Sequence, residues 1–144
     1  MNIHGKSFRI SILCLVLAIG CLSQAKASDA DEAAAEKAAL NWLSLVDAAK
    51  YPQSWTDAAS NFKSAVKKTQ WEDQVKTARK PLGNMISRTV KTKKYATSLP
   101  GAPDGEYVVI QFETKFANKA EVVETITPQK DKDGQWRVSG YFIR

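Results

Sequence analysis

The chain has 144 residues, a formal net charge of +6, 44% hydrophobic residues and 25% charged residues. This length suits one domain, and the balance of apolar and charged residues excludes a disordered or low-complexity chain. No apolar run in the sequence reaches the roughly 20 residues that a membrane-spanning helix needs.

The first 27 residues are typical of a signal peptide. Two basic residues precede the apolar stretch 10–22, and Ala25-Lys26-Ala27 has the small-x-small pattern at which signal peptidase cuts. We therefore expect a mature single domain of residues 28–144 that is periplasmic or secreted. The alternative is a lipoprotein anchored at Cys21, because residues 18–21 form a weak version of a lipoprotein cleavage site.

Cleavage after Ala27 would remove both cysteines and the single histidine. The mature chain would then lack cysteine nucleophiles, Ser-His-Asp triads and Cys/His metal sites. We expect no cofactor and no metal, and the loss of histidine favours binding over catalysis. The cleavage would also remove three basic residues and no acidic one, which lowers the net charge to +3.

The first half of the mature chain has the 3.6-residue periodicity of helices. One helix is predicted from Asp29 to the pair Tyr51-Pro52, because the residue before a proline avoids helical geometry. A third is predicted to open with the capping box Thr69-Gln70-Trp71-Glu72 and to stop at Pro81-Leu82-Gly83. Between them, a second helix is predicted from about Ser54, with a buried stripe of Trp55, Ala58, Ala59, Phe62 and Val66.

After Gly83 the periodicity changes from 3.6 to 2, which indicates strands. The first strand is predicted around Ile86 to Val90, and three more at about 106–116, 121–127 and 135–143. Short connections favour antiparallel neighbours. The sequence therefore predicts an α+β domain, with three N-terminal helices packed on a four-stranded antiparallel meander sheet.

Both faces of the predicted strands carry apolar residues. In the second strand Val108, Ile110 and Phe112 share one face, and in the fourth strand Trp136, Val138 and Phe142 are opposed by Tyr141 and Ile143. A sheet covered by helices on one face is expected to be polar on the other. We therefore predict that part of the second face is covered, either by curvature of the sheet or by a second copy in a homodimer.

Several long motifs carry a family resemblance. They are Arg79-Lys80-Pro81-Leu82-Gly83, the run 99–107 (Leu-Pro-Gly-Ala-Pro-Asp-Gly-Glu-Tyr) and the closing run 136–143 (Trp-Arg-Val-Ser-Gly-Tyr-Phe-Ile). With these motifs the chain resembles the bacterial domain-of-unknown-function 4019 family. The resemblance implies an exported single-domain protein with no assigned activity. The order of helices and strands is also similar to nuclear-transport-factor-two-like and cystatin-like folds, in which a curved sheet often leaves a cavity.

Two kinds of residue are candidates for ligand binding. Trp42 and Trp55 stand at apolar helix positions, where they either line a pocket or pack in the core. Arg88 and Glu124 lie between apolar residues on strand faces. Arg88 either clamps an anionic ligand that Asp47 or Glu124 orients, or forms a satisfied ion pair, or lies on an outward strand face. The full set of predicted ligand-binding residues is Trp42, Asp47, Trp55, Arg88, Glu124 and Tyr107.

Asp47 permits two interpretations. Its apolar neighbours would bury it and raise its pKa toward that of a general acid or base. A surface ion pair with Lys50, three residues on, is the alternative. Combined with Tyr107 or Tyr141 as a donor, the first interpretation describes a cofactor-free isomerase or lyase.

Basic residues are concentrated in the middle of the chain. The stretch 62–94 has ten basic and two acidic residues. It favours contact with an anionic membrane or polysaccharide surface, or it forms a solvated helix face and a protected edge strand. Export and the modest mature charge argue against nucleic acid as a partner.

We therefore expect an exported, non-enzymatic module of the cell envelope that binds a small molecule or an envelope protein. The isomerase or lyase is one alternative. A purely structural interaction protein of the envelope is the other.

Overall fold

A computed structural model describes residues 27–144. The predicted signal peptide, apart from Ala27, and the alternative anchor at Cys21 lie outside the described residues. None of the helices within the described range is long and apolar enough to cross a membrane. The elements are α1 Asp29–Asp47, α2 Tyr51–Thr56, α3 Ser60–Ala65, α4 Lys68–Arg79, a 3-10 turn Lys80–Leu82, and the strands β1 Met85–Ala96, β2 Tyr107–Phe116, β3 Lys119–Lys130 and β4 Trp136–Ile143.

The predicted α+β class and the antiparallel meander are confirmed. The four strands pair in the order β1-β2-β3-β4, each antiparallel to its neighbour, and the helices pack against the sheet. Val108, Ile110 and Phe112 of β2 face these helices in the main core, as their alternation predicts. The two edges of the sheet are β1 and β4.

The first helix ends earlier than predicted. Helix α1 begins after Ser28, whose hydroxyl accepts a hydrogen bond from the Asp31 amide, and acidic residues occupy its first turn. It stops at Asp47, since Ala49 takes a left-handed backbone conformation with φ 56°. The predicted end at Tyr51-Pro52 is wrong. Those residues begin α2, because a proline in the first turn loses no intrahelical hydrogen bond.

The predicted second helix is two helices joined by a turn. At the break, Ala59 is extended and its amide donates to the carbonyl of Val138 in β4 (2.8 Å). The carboxylate of Asp131, in the β3–β4 hairpin, accepts from the Ser60 amide and caps α3 from outside the helix. Contacts with β4 therefore override the continuous helical periodicity, and the domain has four helices, not three.

The predicted capping box is also wrong. Helix α4 begins at Lys68, one residue before Thr69, and its N-cap Lys67 makes no side-chain capping bond. The face predicted for this helix is correct, since Trp71 and Val75 are both buried in the main core.

Register shifts change the faces of the edge strands. In β1 a register shift between Met85 and Ser87 removes Ile86 from the helix-facing side, and its side chain is exposed. In β4 the pairing shifts between Thr127 and Pro128 of the partner strand. Phe142 therefore lies opposite Thr125 on the second face and is 62% exposed. Its predicted grouping with Trp136 and Val138 is wrong, because a bulge inserts one residue and reverses the alternation.

One end of the second face is covered by the chain itself. Tyr107 and Gln129 are cross-strand partners, and by alternation with Val108 they point away from the core. Both are nonetheless buried. The hydroxyl of Tyr107 donates to the carbonyl of Pro103 (2.6 Å), and the Asn61 amide of α3 donates to Gln129 (3.0 Å). The loop before β2 and helix α3 thus wrap around this end of the sheet.

Candidate functional site

Asp47, Arg88 and Glu124 lie together in a buried ion-pair network. Arg88 donates both terminal nitrogens to Asp47 (2.8 and 3.0 Å), and Nη2 also contacts both Glu124 oxygens (2.9 and 3.0 Å). A second arginine, Arg79 at the end of α4, donates to Asp47 and to the Tyr141 hydroxyl (3.0 Å). The network contains two cations and two anions, so its formal charges cancel.

The network is well removed from water. The side chains of both arginines are 6% exposed, that of Asp47 is 17% exposed and that of Glu124 is 0% exposed. The guanidinium of Arg79 also stacks over the Phe116 ring, 4.6 Å from its centroid. Charges at this depth are stable only when they are paired and hydrogen-bonded. All four charges are paired, although Nε of Arg88 is buried without a hydrogen-bond partner among the described residues.

The pKa of Asp47 is lowered, contrary to one interpretation of the sequence. Burial raises the pKa, but the hydrogen bonds from Arg88 and Arg79 outweigh burial. The predicted surface pair with Lys50 is wrong as well, because Asp47 turns inward to the two arginines. Burial and then the charge of Glu124 raise the pKa of Tyr141. Asp47 is therefore a carboxylate, and Tyr141 a neutral hydroxyl, at neutral pH.

This lowered pKa predicts how Asp47 contributes to stability in acid. Because its folded-state pKa lies below the ordinary value of 3.8, the contribution is fully present above about pH 5 and is lost as pH falls through the folded-state pKa. We expect the stability difference between the wild type and Asp47→Asn to be largest at neutral pH and to shrink below pH 4. Urea unfolding at a series of pH values measures this difference.

The control is Asp104→Asn, which removes the same charge from an exposed loop residue. Its stability difference from the wild type is expected to be small at neutral pH. A difference for Asp47→Asn that grows as the pH falls would contradict the prediction, since it would mean that folding raises the pKa of Asp47.

Trp42 and Trp55 use their indole nitrogens inside the protein. Nε1 of Trp42 donates to the carbonyl of Ser54 (2.7 Å), and Nε1 of Trp55 donates to the carbonyl of Val66 (2.8 Å). The Trp42 ring lies 5.4 Å from that of Trp71 between centroids. These bonds tie α1 to α2 and α2 to the end of α3, so both tryptophans contribute to the core.

A separate cleft of about 370 Å³ opens beside β4, between α3, α4 and the loop before β2. Of the six predicted residues, Tyr107 is the one that lines it. None of its fourteen lining residues is charged, although a quarter of the chain is. Its polar and aromatic lining includes Asn61, Trp71, Tyr107, Gln129, Ser139 and Tyr141.

A larger open cleft of about 740 Å³ lies between α1 and β4 and includes Trp42 and Trp136. Its lining includes charged residues, and several of them form ion pairs within the protein. Lys130 pairs with Asp31 (3.1 Å), and Arg137 pairs with Asp133 (2.8 Å). Within residues 27–144, no group of three or more histidine, cysteine or acidic side chains is arranged to hold a metal ion.

Sequence reasoning missed Arg79 and Gln129 as members of these sites, and it considered Tyr141 only as a possible donor beside Asp47. For Arg79 a signal was present, because Trp71, Val75 and Arg79 are four residues apart and must share one helix face. Tyr141 was placed on the wrong face by the bulge in β4. No local signal marks Gln129, since its burial depends on the loop and helix that wrap over it.

These observations define a small α+β domain with a neutralised ion-pair network and an uncharged cleft at one sheet edge. The chain belongs to the family described as "Protein of unknown function (DUF4019)", whose sequence profile matches residues 38–141. The match runs from within α1 almost to the end of β4, and it confirms the resemblance seen in the motifs. No curated protein matches the chain.

Proposed function

We propose that this protein is an exported module of the cell envelope that binds a small molecule without catalysing a reaction. Its domain would be of the nuclear-transport-factor-two-like or cystatin-like kind, with a cleft where the curved sheet meets the helices. Export rests on the signal-like sequence of residues 1–27. In support, the N-cap Ser28 directly follows the predicted cleavage site, so that processing would leave helix α1 complete.

The uncharged cleft beside β4 is the observation that carries the binding proposal. It is concave, its volume falls at the lower end of the range of small-molecule sites, and it combines aromatic rings with a few amides and hydroxyls. Such a lining offers apolar contact area and directional hydrogen bonds together. It suits a small neutral ligand.

The hydrogen bonds of the candidate catalytic groups favour binding over the alternative isomerase or lyase. Both oxygens of Asp47 accept hydrogen bonds from arginines, which leaves the carboxylate poorly suited to accept a proton from a substrate. The hydroxyl of Tyr107 is engaged by Pro103, and that of Tyr141 contacts Arg79 and Glu124. The Asp47 carboxylate and the two tyrosine hydroxyls therefore form hydrogen bonds that stabilise the fold.

Native mass spectrometry of the protein purified from its own cell envelope tests the proposal. We expect a denatured mass that begins at Ser28 and a native mass that is larger by one small compound. A bare subunit mass would overturn small-molecule binding and favour the structural alternative. A diacylated mass that begins at Cys21 would show that the protein is anchored to the membrane as a lipoprotein and is not free in the envelope.

A pair of matched variants ties the bound compound to the cleft. Ala65 is exposed at the cleft wall, so Ala65→Trp should fill the opening and remove the extra mass. Ala33 is exposed on α1 away from this cleft, so Ala33→Trp should retain it. If Ala65→Trp still carries the compound, the compound is bound elsewhere.

A further inference from the structure

Gln129 is a buried amide with unused hydrogen-bonding capacity. Its side chain is 7% exposed and lines the cleft. Its oxygen accepts from the Asn61 amide (3.0 Å), but among the described residues its nitrogen Nε2 donates to no protein atom. Among the described residues, the buried side-chain atoms without a partner are Arg88 Nε and Thr114 Oγ1. Nε2 of Gln129 is not one of them, so it keeps some contact with solvent in the cleft and can donate to a ligand oxygen there.

Aromatic residues also line this cleft. The rings of Trp71 and Tyr141 are 6.1 Å apart between centroids and meet at 74°, and Tyr141 is a partly exposed residue. The negative face of an aromatic ring attracts weakly positive C–H groups. The apolar face of a sugar ring presents such groups, while its rim presents hydroxyls.

The lining also restricts the charge and size of the ligand. A phosphate or carboxylate would lose its hydration here without meeting a cation, because the lining contains none. The volume of about 370 Å³ suits one or two sugar rings better than a long lipid tail. A neutral hydroxylated ligand could accept from the Gln129 amide, contact the aromatic residues and fit an uncharged cleft of this size.

We propose that the cleft beside β4 binds a neutral saccharide, with the Gln129 amide donating to a sugar oxygen and Tyr141 against the apolar face of the ring. This inference rests on the proposed function and names its ligand class. Asn61 holds the Gln129 oxygen, so that Nε2 is left to point at the ligand. Gln129 is then a residue that selects for an oxygen acceptor.

Nuclear magnetic resonance titrations of the mature chain test this inference. The neutral probes are N,N′-diacetylchitobiose, maltose and cellobiose, and the charged probe is glucose 6-phosphate. We expect at least one neutral probe to shift the Gln129 side-chain amide and the Trp71 indole signals saturably. We expect no such shift with glucose 6-phosphate.

Two matched variants identify the role of the amide. Gln129→Leu should weaken binding of the neutral probe at least tenfold, because a sugar oxygen would lose its donor. Gln135→Leu, at an exposed glutamine of the β3–β4 hairpin, should bind as the wild type does. Circular dichroism in the near ultraviolet shows whether each variant keeps the native fold, and Gln129→Asn offers a smaller change should the leucine variant unfold.

The inference is overturned when no neutral probe binds, when glucose 6-phosphate binds equally well, or when folded Gln129→Leu binds undiminished. These outcomes are distinguishable from failure of the proposed function. A co-purified compound that is not a sugar would support small-molecule binding and contradict the saccharide as its ligand. A native mass without any added compound, together with titrations in which no probe shifts a signal, would overturn both small-molecule binding and saccharide binding.

Discussion

Replacement of Arg88 by methionine is expected to destabilise the domain by about 3–5 kcal/mol, the cost of leaving a buried partner charge uncompensated. Arg88 supplies four of the hydrogen bonds that hold Asp47 and Glu124. Without it, Glu124 is fully buried with Arg79 as its nearest cation, 3.9 Å away. Urea unfolding at neutral pH, extrapolated linearly to water, measures the loss.

An exposed ion pair on the same strand provides the control. Lys91 pairs with Glu113 at 2.8 Å, but both side chains are about half exposed. Lys91→Met is therefore expected to cost less than about 1 kcal/mol. The double variant Arg88→Met with Glu124→Leu should be more stable than Arg88→Met alone, because it removes the orphaned carboxylate. Equal costs for Arg88→Met and Lys91→Met would show that Arg88 is solvated.

The network also shows how far the sequence predicts a site. A charge between apolar residues of a strand must be paired, and this argument predicts that Arg88 and Glu124 are buried and leaves an ion pair between them as one outcome. It does not predict that Asp47 is their third partner. That contact depends on where α1 ends, which the left-handed turn at Ala49 decides.

Helix boundaries failed where distant parts of the chain supply the cap or the break. The stripe through Trp55 and Phe62 reads as one helix, yet Val138 and Asp131 of the β3–β4 region bind the backbone at Ala59 and Ser60. A window of local sequence does not contain these partners. Apolar periodicity predicted which residues are buried better than it predicted which helix holds them.

Strand faces were predictable only where the pairing is regular. In β2 no residue is inserted between Val108 and Phe112, because the nearby register shift places the extra residue in β1, and Val108, Ile110 and Phe112 are all buried as predicted. In β4 one bulge reverses the assignment of Phe142, because a shift of one residue exchanges the two faces. The residues of β4 that line the cleft were hard to predict for the same reason, since the cleft lies beside the bulged strand.

Two phenylalanines provide the sharpest test of these faces. Phe112 is 1% exposed in the main core, so Phe112→Ala is expected to cost about 3–5 kcal/mol through lost burial and the cavity left behind. Phe142 is 62% exposed on the second face, so Phe142→Ala is expected to stay within about 0.5 kcal/mol of the wild type. The chemical change is identical, and urea unfolding of both variants isolates the effect of position.

The same pair tests the homodimer predicted from the sequence. A second copy on the second face would cover Phe142, and Phe142→Ala would then lower both the stability and the mass measured by light scattering. Phe142 is the most exposed large apolar side chain among the described residues, so a homodimer through the second face would be expected to bury it. A monomeric wild type whose stability does not change in Phe142→Ala would contradict the predicted homodimer. Equal large losses for both variants in a monomer would instead contradict the faces of β4, since Phe142 would then have to be buried by its own chain.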